Sequence, residues 1–164
     1  MCSPVSVLPG VSAPCGLIGP AEKGLLGVKY RAKSSGDHAS APKPHTQVGF
    51  LSEICCKEER HLFKAHLTKP VAFTQMERSD ASNVIPPEAS MVSNIRLNPE
   101  DTIDSAIVYL RETAGNPDVE ITKIRGMNPS PISEANCPAW NKVAGAVAST
   151  WKGCLVSPYL MVQC

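Results

Sequence analysis

Leu25-Leu26-Gly27-Val28-Lys29-Tyr30-Arg31-Ala32-Lys33 is the stretch on which the fold turns. Leu26, Val28, Tyr30 and Ala32 fall on one face of an extended chain, and Lys29, Arg31 and Lys33 on the other. A period of two over this length predicts a half-buried strand with a basic outer face, hence a sheet covered on one side only.

Downstream, Ser34 to Pro44 is rich in Ser, Gly, Asp and Pro, and reads as a loop. From Thr46 to about Glu59, Val48, Leu51, Ile54 and Cys55 recur at three- and four-residue steps, which predicts an amphipathic helix. Val71 to Glu77 and Met91 to Leu97 read as strands joined by an irregular connection through Asp80, Asn83, Pro86 and Pro87. Asn98 is placed to cap the next helix, with Pro99 at its first position and Glu100 and Asp101 complementing its positive end. Its buried stripe is Ile103, Ala106, Ile107 and Leu110, Gly115 stops it, and Val119 to about Arg125 resumes a β-branched, extended character.

The order from Leu25 to Arg125 is therefore β-α-β-β-α-β. The expected fold class is α+β: a two-layer sandwich with a four-stranded antiparallel sheet and both helices on one face. Beyond a linker at Asn128-Pro129-Ser130-Pro131, Pro138 opens a third helix with Trp140, Val143, Ala144, Val147 and Trp151 on its apolar side, and Gly153 closes it. Leu155 to Val162 is a last strand. A helix and strand outside a complete sandwich need a further layer, which implies part of a second domain. Met1 to about Pro20 lacks a period and is expected to be an extended remnant or a poorly ordered leader.

Composition narrows the function classes. The chain has 164 residues, 43% hydrophobic and 19% charged, which is the balance of a globular protein. A net charge of +1 and 5% aromatic residues give no reason to expect nucleic acid or an anionic membrane as partner. The seven cysteines (Cys2, Cys15, Cys55, Cys56, Cys137, Cys154 and Cys164) form no Cys-x-x-Cys pair, so reduced thiols are expected rather than a disulfide framework or zinc ribbon. With no basic segment ahead of the apolar first twenty residues, a secretory signal is not expected and a cytoplasmic location is favoured.

Three separated polar pieces carry the chemistry: Gly36-Asp37-His38-Ala39-Ser40, Asn83-Val84-Ile85-Pro86 and Asn94-Ile95-Arg96-Leu97-Asn98-Pro99. An imidazole, an amide and a guanidinium at loop or strand ends can grip an oxyanion or a carboxylate. Each also has a plainer reading: His38 as a surface histidine, Asn83 as a turn residue, Arg96 as a cross-strand partner of Glu77. His45, His61 and His66 have no carboxylate or cysteine at a metal-ligand spacing, with His61 and His66 expected beyond a helix end. Glu22 and Lys23 read as a solvated pair. Cys55 and Cys56 have no nucleophile machinery, one facing the core and the other its edge. Gly-rich phosphate loops, His-Glu-x-x-His and Gly-x-Ser-x-Gly are absent from the sequence.

Taken in order, Glu22-Lys23-Gly24, Gly-x-His-Ala-Ser followed by a proline, Asn-Val-Ile-Pro and Ile-Arg-x-x-Pro resemble the lid segment of the zinc-dependent aminoacylase and carboxypeptidase family, peptidase family M-twenty. The resemblance covers roughly Gly19 to Cys164. It implies an N-terminal leader or catalytic-domain remnant over 1–22, a lid and dimerisation domain over 23–127, and a partial catalytic-domain segment over 128–164. It implies further that the lid pairs into a homodimer through a sheet edge and helix. His38 would then reach into the partner's active site to stabilise an oxyanion, while Asn83 and Arg96 converge on the carboxylate of an acylated amino acid or peptide.

Zinc is the cofactor of the full-length family, and none is expected on this chain. The family's His-x-Asp, bridging Asp and Glu-Glu residues cannot be matched ahead of Glu22. The expected function is thus that of a fragment of a metal-dependent amidohydrolase or exopeptidase, inactive alone. The alternative is a non-catalytic dimerisation or interaction module. An RNA-binding module of the same element order is set aside, because Met91 to Leu97 offers no aromatic to stack on a base.

Overall fold

A computed structural model describes residues 5–6, 10–42, 44–64, 71–78 and 81–160. Contacts divide the chain into two compact units, Gly24–Pro129 and a second one made of Met1–Lys23 with Ser130–Cys164.

The Gly24–Pro129 unit contains β3 (Gly24–Lys33), β4 (Asp37–His38), α1 (Gln47–Lys64), β5 (Val71–Glu77), β6 (Val84–Ile85), β7 (Glu88–Leu97), α2 (Ile103–Ala114) and β8 (Val119–Met127). Its main sheet has four strands in the order β5-β7-β3-β8, and every pairing is antiparallel. Tyr30 stands opposite Met91 on one side and Ile121 on the other. The alternation of the decisive stretch is realised. Leu26, Val28, Tyr30 and Ala32 are buried in one cluster with Ala89, Met91, Ile95 and Leu97 of β7, Val119 and Ile121 of β8, Leu51 and Ile54 of α1, and Ala106, Leu110 and Ala114 of α2. On the opposite face Lys29 pairs with Glu77 at 3.6 Å, Arg31 with Glu88 at 3.0 Å and Lys33 with Glu120 at 3.9 Å. These exposed pairs add little stability, but they satisfy the basic face that the sequence predicts.

Several boundaries differ from expectation. α1 runs to Lys64 rather than ending near Glu59, so His61 lies within the helix instead of beyond it. The side chain of His61 and all of His66 fall outside the described residues. The second helix starts at Ile103, capped by Thr102 rather than Asn98. The Thr102 hydroxyl accepts from the Ser105 N–H at 3.1 Å, and the Ser105 hydroxyl accepts from the Thr102 N–H at 3.0 Å, a reciprocal capping box. Asn98 instead closes a turn in which its carbonyl accepts from the Asp101 N–H at 2.9 Å and its own N–H donates to the Asp101 carboxylate at 3.2 Å. A turn that satisfies its own groups outcompetes one more helical turn opened by Pro99. Gly115, in the left-handed region at φ 59°, ends the helix as expected.

The second unit contains β1 (Val5–Ser6), β2 (Cys15–Ile18), α3 (Pro138–Thr150) and β9 (Leu155–Pro158), with β1-β2-β9 forming a three-stranded sheet. β2 and β9 are parallel, Cys15 opposite Leu155 and Ile18 opposite Pro158. The apolar N-terminal stretch is therefore in part a sheet strand, not a leader without structure: its pairing partner lies far away in sequence, and four residues are too few for a period to show. Pro138 opens α3 as expected, behind a Cys137 cap whose thiol accepts from the Trp140 N–H at 3.4 Å. No residue of α3 is buried, and the last strand is shorter than Leu155 to Val162.

Two substitutions test this architecture. Leu26→Ala empties a fully buried position in the cluster and is expected to cost about 2–5 kcal/mol in urea unfolding. Thr102→Ala removes the cap and is expected to cost about 1 kcal/mol, whereas Asn98→Ala should cost less than Thr102→Ala if the helix begins at Ile103.

Candidate functional site

Beyond the end of the main sheet, the β3 and β7 chains continue as a narrow ribbon. The Ser34 N–H donates to the Pro87 carbonyl at 2.7 Å, then Asp37 stands opposite Ile85 and His38 opposite Val84. The Ala39 N–H donates to the Asn83 carbonyl at 3.1 Å, closing the ribbon. The loop expected over Ser34 to Pro44 thus contains a two-residue strand, and this pairing brings the backbones of the two motifs together, with Val84 opposite His38 and the Asn83 carbonyl bonded to Ala39. Gly36 turns the chain into it at φ 69°, a conformation that disfavours a residue with a β-carbon.

His38 is exposed and its ring is held from one side. Its Nδ1 accepts from the Ser40 backbone N–H at 3.2 Å and lies 2.8 Å from the Ser40 hydroxyl. A backbone N–H can only donate, so Nδ1 is the acceptor, and Nε2 carries the proton in the neutral ring. The ring therefore presents a donor away from the loop that fixes it. The backbone N–H of His38 is tied to the Asp37 carboxylate at 2.9 Å, which stiffens the turn.

Arg96 lies elsewhere. It stands opposite Leu25 near the far end of β7, which spans Glu88–Leu97. At roughly 3.3 Å per residue, about 26 Å of strand separates it from Glu88, and His38 and Asn83 lie beyond Glu88. One chain does not bring Arg96 and Asn83 to a single small ligand, contrary to the expected convergence. The plainer alternative for Arg96 fails as well, since Glu77 stands opposite Ser90 and pairs with Lys29.

A polar cluster that sequence reading passed over lies within the core. Glu58 is 2% exposed and accepts from the Tyr30 hydroxyl at 2.9 Å, while the Ser93 hydroxyl donates to the Tyr30 oxygen at 3.4 Å. The second Glu58 carboxylate oxygen, Oε2, has no partner among the described residues. Burial pushes the Glu58 carboxyl up to about 7, against a smaller downward pull from the Tyr30 hydrogen bond. Burial, followed by the charge of Glu58, raises the Tyr30 hydroxyl as well. The signal was present in the helical spacing: Leu51, Ile54 and Glu58 share one stripe of α1. Next to it Cys55 lies 3.0 Å from the Met91 sulfur, while Cys56 is exposed, in line with the expected division of that pair.

Among the described residues no group of three or more His, Cys, Asp or Glu side chains could hold a metal ion. These residues do not fit a zinc centre. No helix among them is long and apolar enough to cross a membrane.

No family model matches the chain. It is 24% identical to the probable carboxypeptidase S-like 2 of Dictyostelium discoideum, over 95% of this chain and 39% of that protein. It is 22% identical to the N-fatty-acyl-amino acid synthase/hydrolase PM20D1 of Xenopus tropicalis, over 77% of this chain and 34% of the relative. The chain thus spans little more than a third of the length of these curated relatives. The solved structure of a hydantoinase/carbamoylase family amidase from Burkholderia ambifaria matches 89% of this chain and 38% of that one with a TM-score of 0.68. At 13% identity, that likeness speaks for the fold.

The buried acid yields a pH prediction. Glu58 takes up its proton near 4.5 when unfolded and near 7 when folded, so the folded state holds the extra proton between these values. Stability from this group is present below about 4.5 and is lost as pH rises through 7, at about 1.4 kcal/mol per pH unit. Glu58→Gln should remove this component of the slope and be more stable than the parent at pH 8, as read by urea midpoints at pH 5 and pH 8. An unchanged difference between the two pH values would refute the assignment.

Proposed function

We propose that this chain, which belongs to the aminoacylase and peptidase family M-twenty, supplies the lid of a metal-dependent amidohydrolase acting on an amide bond next to a free carboxylate. The Gly24–Pro129 unit, read as a two-layer β-α-β-β-α-β sandwich, is the lid and dimerisation domain. The flanking unit belongs to the catalytic part of the fold. The observation that carries this reading is the strand pair that joins the His38 motif to the Asn83 motif, with the His38 Nδ1 occupied by Ser40 so that Nε2 is left as the ring's donor.

Such a donor suits the oxyanion of a tetrahedral intermediate, where charge develops only as the amide carbonyl is attacked. Asn83 offers an amide, and Arg96 a guanidinium fork for the substrate carboxylate. Because about 26 Å of strand lies between Glu88 and Arg96, one ligand meets all three only across a homodimer. One subunit gives Arg96, and its partner gives His38 and Asn83. The two edges of the main sheet, β5 and β8, have one neighbour each, and an open edge is competent to pair with a second copy. Zinc supplies the activated water in the full-length family, and the part read here for this chain is to hold and orient substrate.

Titration calorimetry with an N-acyl amino acid and with a phosphonate analogue of its tetrahedral intermediate tests the reading. His38→Ala should weaken the phosphonate about tenfold or more and leave the planar acyl amino acid within twofold, whereas Asn83→Ala should weaken both. Equal effects of His38→Ala on the two ligands would sink the oxyanion role. Turnover of N-acyl amino acids by the 164-residue chain with added zinc would overturn the separation of lid from hydrolytic centre. The second reading, a non-catalytic dimerisation module, is favoured by the same open edges. Sedimentation equilibrium showing a dimer at tens of micromolar (roughly where a modest interface forms), together with no affinity for either ligand, would select it.

A further inference from the structure

The open face of the main sheet treats its basic side chains in two ways. Lys29, Arg31 and Lys33 each have a carboxylate within 4 Å. At the other end of the same face stand Arg96 on β7 and Arg125 on β8, and among the described residues neither has an ion-pair or hydrogen-bond partner.

The register sets these two arginines about a common centre. β3 runs between them: Leu25 is opposite both Arg96 and Met127, and Gly27 is opposite both Asn94 and Arg125. Two inter-strand spacings and one two-residue step along the strand put the two α-carbons roughly 12 Å apart, within the combined reach of two extended arginine side chains. Gly27 makes the approach possible. A β-carbon there would lie 3.1 Å from Arg125 Cγ and 3.6 Å from its Nε, so the side chain lies over the bare backbone of β3, on the way to β7. Asn94 adds an amide in the same cross-strand row. Leu25 and Met127, the latter 42% exposed, continue the row of Arg96 with apolar surface.

Two uncompensated guanidiniums on neighbouring rows repel each other, and an anion held between them reverses the sign of that interaction. A carboxylate has the matching shape, since its two oxygens can accept from two forks at once. We propose that Arg125 is the second arm, with Arg96, of one carboxylate clamp built over Gly27, selecting small acids that carry an apolar substituent. This rests on the reading of Arg96 as the substrate-carboxylate residue, and adds a residue that none of the motifs of the sequence marks.

Calorimetry on the whole chain with N-acetyl-leucine and its uncharged analogue N-acetyl-leucinamide tests it, with thermal melts to verify that each variant is folded. The acid should bind at least tenfold more tightly than the amide. Arg125→Gln should weaken the acid about tenfold and leave the amide unchanged, with Arg125→Lys recovering only part of the loss because a point charge lacks the fork. Gly27→Val, which blocks the path of the arginine, should reproduce Arg125→Gln. If Arg96→Gln weakens the acid and Arg125→Gln does not, the clamp has one arm: this inference fails while the proposed function stands. Weakening of the acid by both arginine variants, with Asn83→Ala without effect on it and His38→Ala without effect on the phosphonate analogue, supports the clamp and removes the amidohydrolase reading. No preference for the acid over the amide in the unaltered chain overturns the clamp outright.

Discussion

Everything in the Gly24–Pro129 unit depends on β3 having a partner on each side and a core beneath it. Ten residues are committed to β7 and eight register pairs to β8, so a slip of one residue would turn Leu26, Val28, Tyr30 and Ala32 to solvent and Lys29, Arg31 and Lys33 inward. The energetic asymmetry is large, because the buried set has exposures of 2% or less and a side chain such as Leu26 or Val28 is worth about 1.5–3 kcal/mol when buried. The irregularity between Gly27 and Val28 in the pairing with β8 falls within that run, between Leu26 and Val28, next to the row in which Arg125 stands opposite Gly27.

The ribbon that carries His38 is an extension of that same ladder. Its position follows from the register Lys33 to Glu88, continued by Ser34 and Pro87, so the placement of a loop histidine is set by strand pairing begun some ten residues earlier. This is how a side chain outside the core is held in one orientation without being buried: one ring nitrogen is occupied locally, and the backbone on both sides is paired. Arg96 is fixed by the same ladder at its other end. The ladder therefore sets the separation of His38 and Arg96, and the proposal that two copies share one site rests on that separation.

The sequence was most legible where a period ran for eight or more residues. β3, the core stripe of α2 and the order of the main helices and strands could be read from alternation, helical spacing and glycine stops. What escaped reading has a common cause. The strand pairings at Cys15–Ile18 and Asp37–His38 are four and two residues long, too short to show alternation, and both are decided by partners distant in sequence. The start of α2 was missed because Asn98-Pro99 carries the same local signals as a cap, while the capping box at Thr102 and Ser105 uses a serine in place of the usual glutamate. Glu58 was missed because a charged residue on an apolar stripe is normally solvated, and the hydrogen bond from the Tyr30 hydroxyl on the facing strand is not visible in the helical spacing. The family resemblance rested on polar pieces in order, and it could propose His38, Asn83 and Arg96 but not the strand length that separates them.

The parallel pairing of β2 with β9 has a consequence for how the molecule comes into being. Cys15 emerges from the ribosome long before Leu155, its partner, so the small sheet cannot close during most of synthesis. The Gly24–Pro129 unit, whose pairings are all internal, can fold in that interval as an autonomous body. Once it has done so, the two strands are joined through a folded insert instead of a long flexible loop, and the entropy of closing the loop between them is reduced accordingly. The order of assembly is written into the topology: the inserted unit first, the unit that encloses it in sequence last. Until then the apolar strand at Cys15–Ile18 has β1 on one side and an open edge on the other, where Leu155–Pro158 will pair.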